Sequence, residues 1–193
     1  MSQIIELTLK NLKKIGLEHD IPNITEQNAE FLKKLILERK PKHMLEIGTA
    51  NGYSTLHFAS VLDKESDLVT IEQAWNMHTF AVENIKTCKI KNVFAFWWDA
   101  KKILPSLRDE YFDFIYIDAM KKEYLLYFLA SLPKATPDAI FVIDDVEKFR
   151  DKMEDFYQYL EDHRISYRLE KTDLDDSIMI IERKDVWLWE SFS

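Results

Sequence analysis

Glycine is nearly absent from this chain: Gly16, Gly48 and Gly52 are the only three in 193 residues. Glycine reaches left-handed backbone and lets another segment approach closely. Two of the three fall within residues 48–52, which marks that stretch as a turn under unusual demand. Cysteine is scarcer still. The single Cys88 excludes an internal disulfide framework and a zinc site built on several thiolates, and it fits a reducing compartment. No apolar run approaches the roughly 18 residues of a spanning helix, so no membrane partner is expected. Residues 1–14 scatter Glu6, Lys10, Lys13 and Lys14 among apolar positions, unlike a secretory signal, so a cytoplasmic location is expected. Basic excess is also missing. The formal charge of -8 disfavours broad non-specific binding to nucleic acid, although local basic clusters such as Lys33, Lys34, Arg39, Lys40 and Lys42 remain. Repeats and low-complexity linkers are absent, so one domain spanning 1–193 is expected.

What is present is a regular alternation. Residues 1–40 read as two helices. Ile4, Ile5, Leu9, Leu12 and Ile15 lie near a helical period, with Gly16 as a stop. Thr25 is a plausible N-cap for a second helix carrying Phe31, Leu32, Leu35 and Ile36. A core over 43–183 follows. Strands are predicted over 44–47, 68–71, 93–97, 112–117 and 139–143. Helices are predicted between and after them, over about 53–62, 74–88, a short turn through Ile103 and Leu104, 123–132 and 147–163. Several of these strands are continuous apolar runs, as in a parallel sheet covered on both faces. Two more strands, 167–171 and 178–183, have no helix between them and read as an antiparallel hairpin. Trp97 and Trp98 read as core, with stacking near the base as the alternative. Residues 184–193 form an aromatic tail, expected to fold back. The fold class is therefore α/β: a doubly wound, seven-stranded, mostly parallel sheet with a C-terminal antiparallel hairpin and helices on both faces.

In such sheets ligands bind beyond the carboxyl ends of the strands, so the residues there carry the chemistry. After the first strand comes Glu46-Ile-Gly-Thr-Ala-Asn-Gly-Tyr-Ser54. Its glycine spacing is neither the dinucleotide fingerprint nor a phosphate-binding Walker loop. It suits a ligand with an amino-acid end: Ser54 and the local amides can take a carboxylate, and Glu46 an ammonium. Glu72 follows the second strand and can accept hydrogen bonds from both ribose hydroxyls. Asp99-Ala100 after the third offers an acceptor beside a small residue, suited to an adenine edge. Asp118 follows the fourth strand, with Lys121 close behind. Asp144 and Asp145 follow the fifth. Three carboxylates this close repel unless a cation joins them, and all-oxygen ligands favour Mg²⁺, Mn²⁺ or Ca²⁺. The plainer alternative is that Asp145 caps the next helix. His57 reads as a helix-face residue.

Together these segments resemble the class I S-adenosylmethionine-dependent methyltransferases, with their Rossmann-like fold. The closer resemblance is to the metal-dependent O-methyltransferases of the catechol and caffeoyl-coenzyme A type. It covers residues 22–183 and rests on Leu45–Thr55, Ile117–Tyr124, Ile143–Val146 and Leu174–Ile178, in order. The resemblance implies that Gly48, Asn51, Gly52, Tyr53 and Ser54 lie in the cofactor loop, that Glu72 holds the ribose, and that Asp99 and Ala100 lie by the adenine. It makes Asp118, Asp144 and Asp145 metal ligands and Lys121 the general base. Asp145 stands where the family usually has Asn. Pro137-Asp-Ala139 replaces Pro-Gly-Gly, and residues after Val146 run directly into Lys148–Met153 without the longer acceptor loop of many relatives. The implied reaction moves a sulfonium methyl to a hydroxyl. Beside a cation, the Lys121 amine should have a depressed pKa and take the proton. Small hydroxylated acceptors are the expected partners, with a tRNA hydroxyuridine as the alternative. The resemblance also leaves a homodimer open. A non-catalytic module that binds the cofactor without turnover is a further alternative. A nicotinamide dehydrogenase fits the loop spacing poorly.

Overall fold

The computed structural model describes residues 2–173 and 176–186. The aromatic tail from Trp187 onward lies outside the described residues, as do Leu174 and Asp175. Among the described residues, no helix is long and apolar enough to cross a membrane.

Seven strands form one sheet: β1 (His43–Ile47), β2 (Asp67–Glu72), β3 (Val93–Trp97), β4 (Phe112–Ile117), β5 (Ala135–Ile143), β6 (Arg168–Glu170) and β7 (Ile178–Glu182). Their order is β3-β2-β1-β4-β5-β7-β6. The first five strands run parallel, and β7 inserts antiparallel between β5 and β6. The helices are α1 (Gln3–Glu18), α2 (Glu26–Arg39), α3 (Tyr53–Ala59), α4 (Trp75–Thr87), α5 (Ala100–Ile103), α6 (Tyr124–Ser131) and α7 (Glu154–Asp162). Strand side chains alternate between faces. Leu45, Ile47, Ile115, Ile117, Phe141 and Ile143 pack with α6, the turn after it and α7 through Phe128, Leu132 and Phe156. Met44, Phe114, Tyr116 and Val142 pack on the other face against Leu32, Ile36 and Phe58 of α2 and α3. The alternation thus yields the doubly wound sheet and closing hairpin that the sequence predicts.

Gly16 does not stop α1, which continues to Glu18. A Cβ on Gly16 would stand 2.3 Å from Asn23 Nδ2, so the glycine leaves room for the returning chain. Asn23 in turn donates to the Leu12 carbonyl at 3.2 Å. Thr25 caps α2 as expected, accepting from Asn28 N at 3.1 Å. The last helix begins only at Glu154, later than the predicted 147. Asp176 Oδ1 takes the amides of Glu147 and Lys148, at 2.9 and 3.3 Å, and holds that stretch in turns. Asp145 is left-handed, with φ 58°, and caps no helix there. Trp97 and Trp98 are 40% and 50% exposed, not core. Trp97 ends the edge strand β3 and Trp98 follows it, which leaves both without a neighbouring strand on one side; Trp98 lines the cavity described below.

Candidate active site

The order of strands reverses between β1 and β4, so the loops leaving them part and open a crevice. Hydrogen bonding continues one residue past the strand ends. Gly48 N donates to Ile71 O at 3.0 Å, Asp118 N to Ile47 O at 2.9 Å, and Asp144 N to Ile117 O at 3.0 Å. This brings the loops after β1, β4 and β5 to one edge. Gly48 has φ 102°, and a Cβ there would lie 1.9 Å from the Asp118 carbonyl oxygen. No other residue fits that crossing. Gly52, with φ 88°, sets the start of α3.

A cavity of about 1230 Å³ occupies this edge. Gly48, Asn51, Tyr53, Ser54, Glu72, Ala100, Asp118, Lys121, Asp144 and Asp145 all line it, so most of the sequence-predicted residues meet. Glu72 is pinned from two sides. Its Oε2 accepts from Ala50 N at 2.9 Å and its Oε1 from Ala74 N at 2.7 Å. Asn51 is fully buried and turns its Oδ1 to Tyr53 N at 3.1 Å. Its Nδ2 has no protein partner, an orphaned donor at the cavity wall.

Three expected residues stand elsewhere. Glu46 does not reach the cavity: its side chain is 0% exposed. It accepts from Ser54 Oγ at 2.5 Å, Thr55 Oγ1 at 2.6 Å and Thr70 Oγ1 at 2.7 Å. Burial pushes its carboxyl up to about 7, against the three hydroxyl donors. Glu46 therefore braces the loop beneath the site and is not placed to meet a ligand ammonium. Ser54 spends its hydroxyl on Glu46. Asp99 caps α5, accepting from Lys101 N at 2.9 Å, and leaves the cavity wall to Ala100. Gly52 shapes the loop from behind. His57, on α3, is buried outside the cavity, and burial lowers its imidazole to about 4.

The acidic group is more structured than its sequence suggests. Asp144 Oδ1 accepts from Asn28 Nδ2 at 3.0 Å and from Asp145 N at 2.9 Å. Its Oδ2 accepts from Tyr116 OH at 2.7 Å. Burial, then the neighbouring Asp118 and Asp145, push Asp144 up to about 7. Asp118 is raised too, through burial and Asp145. Lys121 Nζ bridges Asp118 Oδ1 and Asp145 Oδ2, each at 2.8 Å, and donates to Tyr124 OH at 2.6 Å. Burial alone would lower its pKa, but Asp118, Tyr124 and Asp145 outweigh burial and raise it well above the ordinary lysine value. The depression expected of Lys121 belongs to a site with a cation beside it; with Asp118, Tyr124 and Asp145 as its neighbours, the amine is held as an ammonium. Among the described residues, no three His, Cys, Asp or Glu side chains stand close enough to hold a metal ion as they are.

Sequence reasoning named neither Asn28 nor Phe149 as a site residue, and Asp176 only within the Leu174–Ile178 segment, yet all three line the cavity. Asn28 lies on a helix far away in sequence, and no local pattern pointed to it.

This sheet order, with the antiparallel β7 and the glycine turn at the switch point, defines the Rossmann-like methyltransferase class. A family model described as O-methyltransferase matches residues 1–178, and the chain belongs to that family. It is 34% identical over 128 residues to a catechol O-methyltransferase of Niastella koreensis, covering 64% of this chain and 58% of that protein. It is 32% identical over 147 residues to the O-methyltransferase imqG of Aspergillus flavus, covering 72% of this chain and 58% of that protein. The match thus spans under two thirds of either relative. Among solved structures, the Bacillus cereus O-methyltransferase in complex with SAH superposes with a TM-score of 0.78 at 24% identity, over 91% of this chain and 90% of that one. SAH-bound PaMTH1 of Podospora anserina gives 0.82 at 21%, over 94% and 88%. These likenesses carry the fold.

Proposed function

We propose that this chain transfers the sulfonium methyl of S-adenosylmethionine to an acceptor hydroxyl. The observation that carries the reading is Glu72, fixed by the Ala50 and Ala74 amides at the cavity wall. Each of its oxygens keeps a lone pair, a matched pair of acceptors for a ribose diol. Two further features fit the cofactor. Gly48 leaves the loop backbone bare where a Cβ would collide. Asn51 Nδ2 is a buried donor awaiting an acceptor, as the carboxylate of an amino-acid end would supply. Tyr53 and Ala100 line the cavity as well.

The sulfonium is already a strong electrophile, so the chain mainly holds two reactants in line and receives a proton. Asp118, Asp144 and Asp145 fit a hard cation by chemistry: they are all-oxygen donors, two of them raised by burial and mutual repulsion. A bound Mg²⁺ would lower the pKa of the acceptor hydroxyl and fix its direction. Lys121 holds its proton because of Asp118 and Asp145. Only when those carboxylates are neutralised does the amine become free to accept the acceptor's proton.

The test is transfer of labelled methyl to catechols and to bulk tRNA, with Mg²⁺ or with chelator, beside calorimetry with SAH. Heat from SAH and label on a small phenol are expected. No heat and no label on any acceptor would remove the reading. Label unaffected by chelator would remove the cation alone.

A further inference from the structure

The two edges of the sheet are unlike. β6, at one edge, is three residues long and carries Arg168 and Glu170. Shortness and charge keep an exposed strand from pairing with another chain. β3, at the other edge, is Val-Phe-Ala-Phe-Trp, with no charge, no proline and no bulge. Its flanks bond to β2: Leu68 N donates to Asn92 O at 2.9 Å, and Trp98 N donates to Glu72 O at 3.0 Å. A strand residue points its N–H and C=O to one side, and the side alternates along the chain. Phe94 and Phe96 therefore turn their backbone groups to β2, and Val93, Ala95 and Trp97 turn theirs outward. His78 Nε2 lies 3.3 Å from Ala95 O, and among the described residues no strand lies beyond β3. The side chains of this edge are exposed as well. Phe94 and Phe96, at 49% and 41% exposed, share one face, which the four-residue α5 does not cover. Trp97 lies between Trp75 and Trp98, with ring centroids 4.7 and 5.2 Å away. Trp75 is 59% exposed.

We propose that β3 docks a second copy of this chain, the two strands pairing antiparallel about Ala95 so that both sheets become one. A two-fold axis at Ala95 makes the edge complementary to itself. Val93 meets the partner's Trp97, and the outward backbone groups of both exchange hydrogen bonds. Phe94 falls opposite the partner's Phe96, in the close pairs of an antiparallel ladder, with Cα atoms about 4.5 Å apart. Charge matches in the same register. Lys91 is exposed and has no ion-pair partner among the described residues. It falls opposite the partner's Asp99, and the axis repeats that pair. Size agrees too. At roughly 200 Å² for a whole ring, the exposed parts of Phe94, Phe96, Trp75, Trp97 and Trp98 amount to roughly 500 Å² per copy. Two copies would bring together roughly 1,000 Å² of aromatic surface, the size at which an interface becomes specific. A foreign strand would have to carry both the aromatic and the charge match; a second copy supplies them by symmetry.

The test is sedimentation equilibrium of the whole chain between about 1 and about 100 μM, beside three variants. Ala95→Pro removes the central outward N–H and leaves the bonds to β2 in place. Phe96→Lys sets a charge in the aromatic contact, on a side chain already exposed. Lys91→Glu turns both ion pairs into repulsions. A dimer that dissociates on dilution is expected for the wild type. Ala95→Pro and Phe96→Lys should be monomers at about 100 μM with the circular dichroism of the folded chain. Should Ala95→Pro fail to fold, Phe96→Lys decides. Lys91→Glu should weaken the dimer about tenfold, since two like-charge contacts replace two opposite ones. A wild type that stays monomeric throughout overturns the proposal and leaves the edge to a different protein. A dimer that Phe96→Lys leaves intact overturns it as well, because the copies then meet elsewhere. A dimer indifferent to Lys91→Glu overturns the register about Ala95.

Discussion

Asn28 donates from Nδ2 to Asp144 Oδ1 at 3.0 Å, joining two buried side chains 116 residues apart. The bond ties the first turn of α2 to the carboxyl end of β5. Thr25 fixes that turn by capping it, and the Thr172 hydroxyl donates to Asn28 Oδ1. With Tyr116 on its other oxygen, Asp144 is aimed before any ligand arrives. A helix outside the strand-helix alternation therefore shapes the acidic site.

Removing that donor leaves a buried carboxyl oxygen short of a partner. Asn28→Leu is expected to cost about 1–3 kcal/mol, the range for an unsatisfied buried polar group. Urea unfolding measures it. A loss below about 0.5 kcal/mol would show that the bond does not organise the site.

Glu46 gives a pH signature. Its carboxyl rises from 4.5 to about 7 in the folded state because burial disfavours its charge. The folded chain then binds more protons than the unfolded chain between those values. Its contribution is therefore most favourable below pH 4.5 and fades as pH climbs to about 7. Asp144, also raised to about 7, acts in the same direction. In Glu46→Gln, the fall in unfolding free energy between pH 5 and pH 8 should shrink by roughly 1–3 kcal/mol. An unchanged slope in denaturant titrations at the two pH values would place the ionisation elsewhere.

Glu46 also shows where reading the sequence stopped. The run Met44–Ile47 reads correctly as a strand, and its last residues lead correctly into the glycine turn. Which face Glu46 takes depends on Ser54, Thr55 and Thr70, two of them on α3 and one on β2. No local pattern states that those hydroxyls will converge. The tryptophans fail for a similar reason. Val93–Trp97 is as apolar as an inner strand, but its place at the sheet edge is set by the other six. Gly48 was legible because scarcity made its demand visible. Asp118, Asp144 and Asp145 were legible as neighbours because strand ends in a parallel sheet share one edge. The Lys121 bridge was not, since it needs the distances between side chains.

Glu72 carries the cofactor reading, and its replacement separates binding from folding. Glu72→Ala frees the Ala50 and Ala74 amides and also removes the proposed ribose acceptors. SAH affinity should fall by about 1–3 kcal/mol in calorimetry at a temperature where circular dichroism shows the chain folded. Unchanged affinity in a folded variant would mean that the ribose lies elsewhere.

Lys121 holds the carboxylate oxygens that the proposed divalent cation would take, so a competition between them would be measurable without turnover. The Lys121 pKa is raised from 10.5, so its stabilising contribution is complete below that value and is lost only as pH passes the higher folded one. At pH 7.5 the ammonium is therefore in place. Lys121→Met removes it and leaves Asp118 and Asp145 facing each other. The cost should be about 1–3 kcal/mol, below that of a fully buried pair because Asp145 is partly exposed. The same variant should gain more from Mg²⁺ than the wild type, since the ion no longer displaces an ammonium. Thermal melts with and without Mg²⁺ read the difference, expected at about 1 kcal/mol or more of added stabilisation. If Mg²⁺ shifts both proteins equally, or neither, the three aspartates do not share a cation site, and Lys121 is a permanent structural bridge.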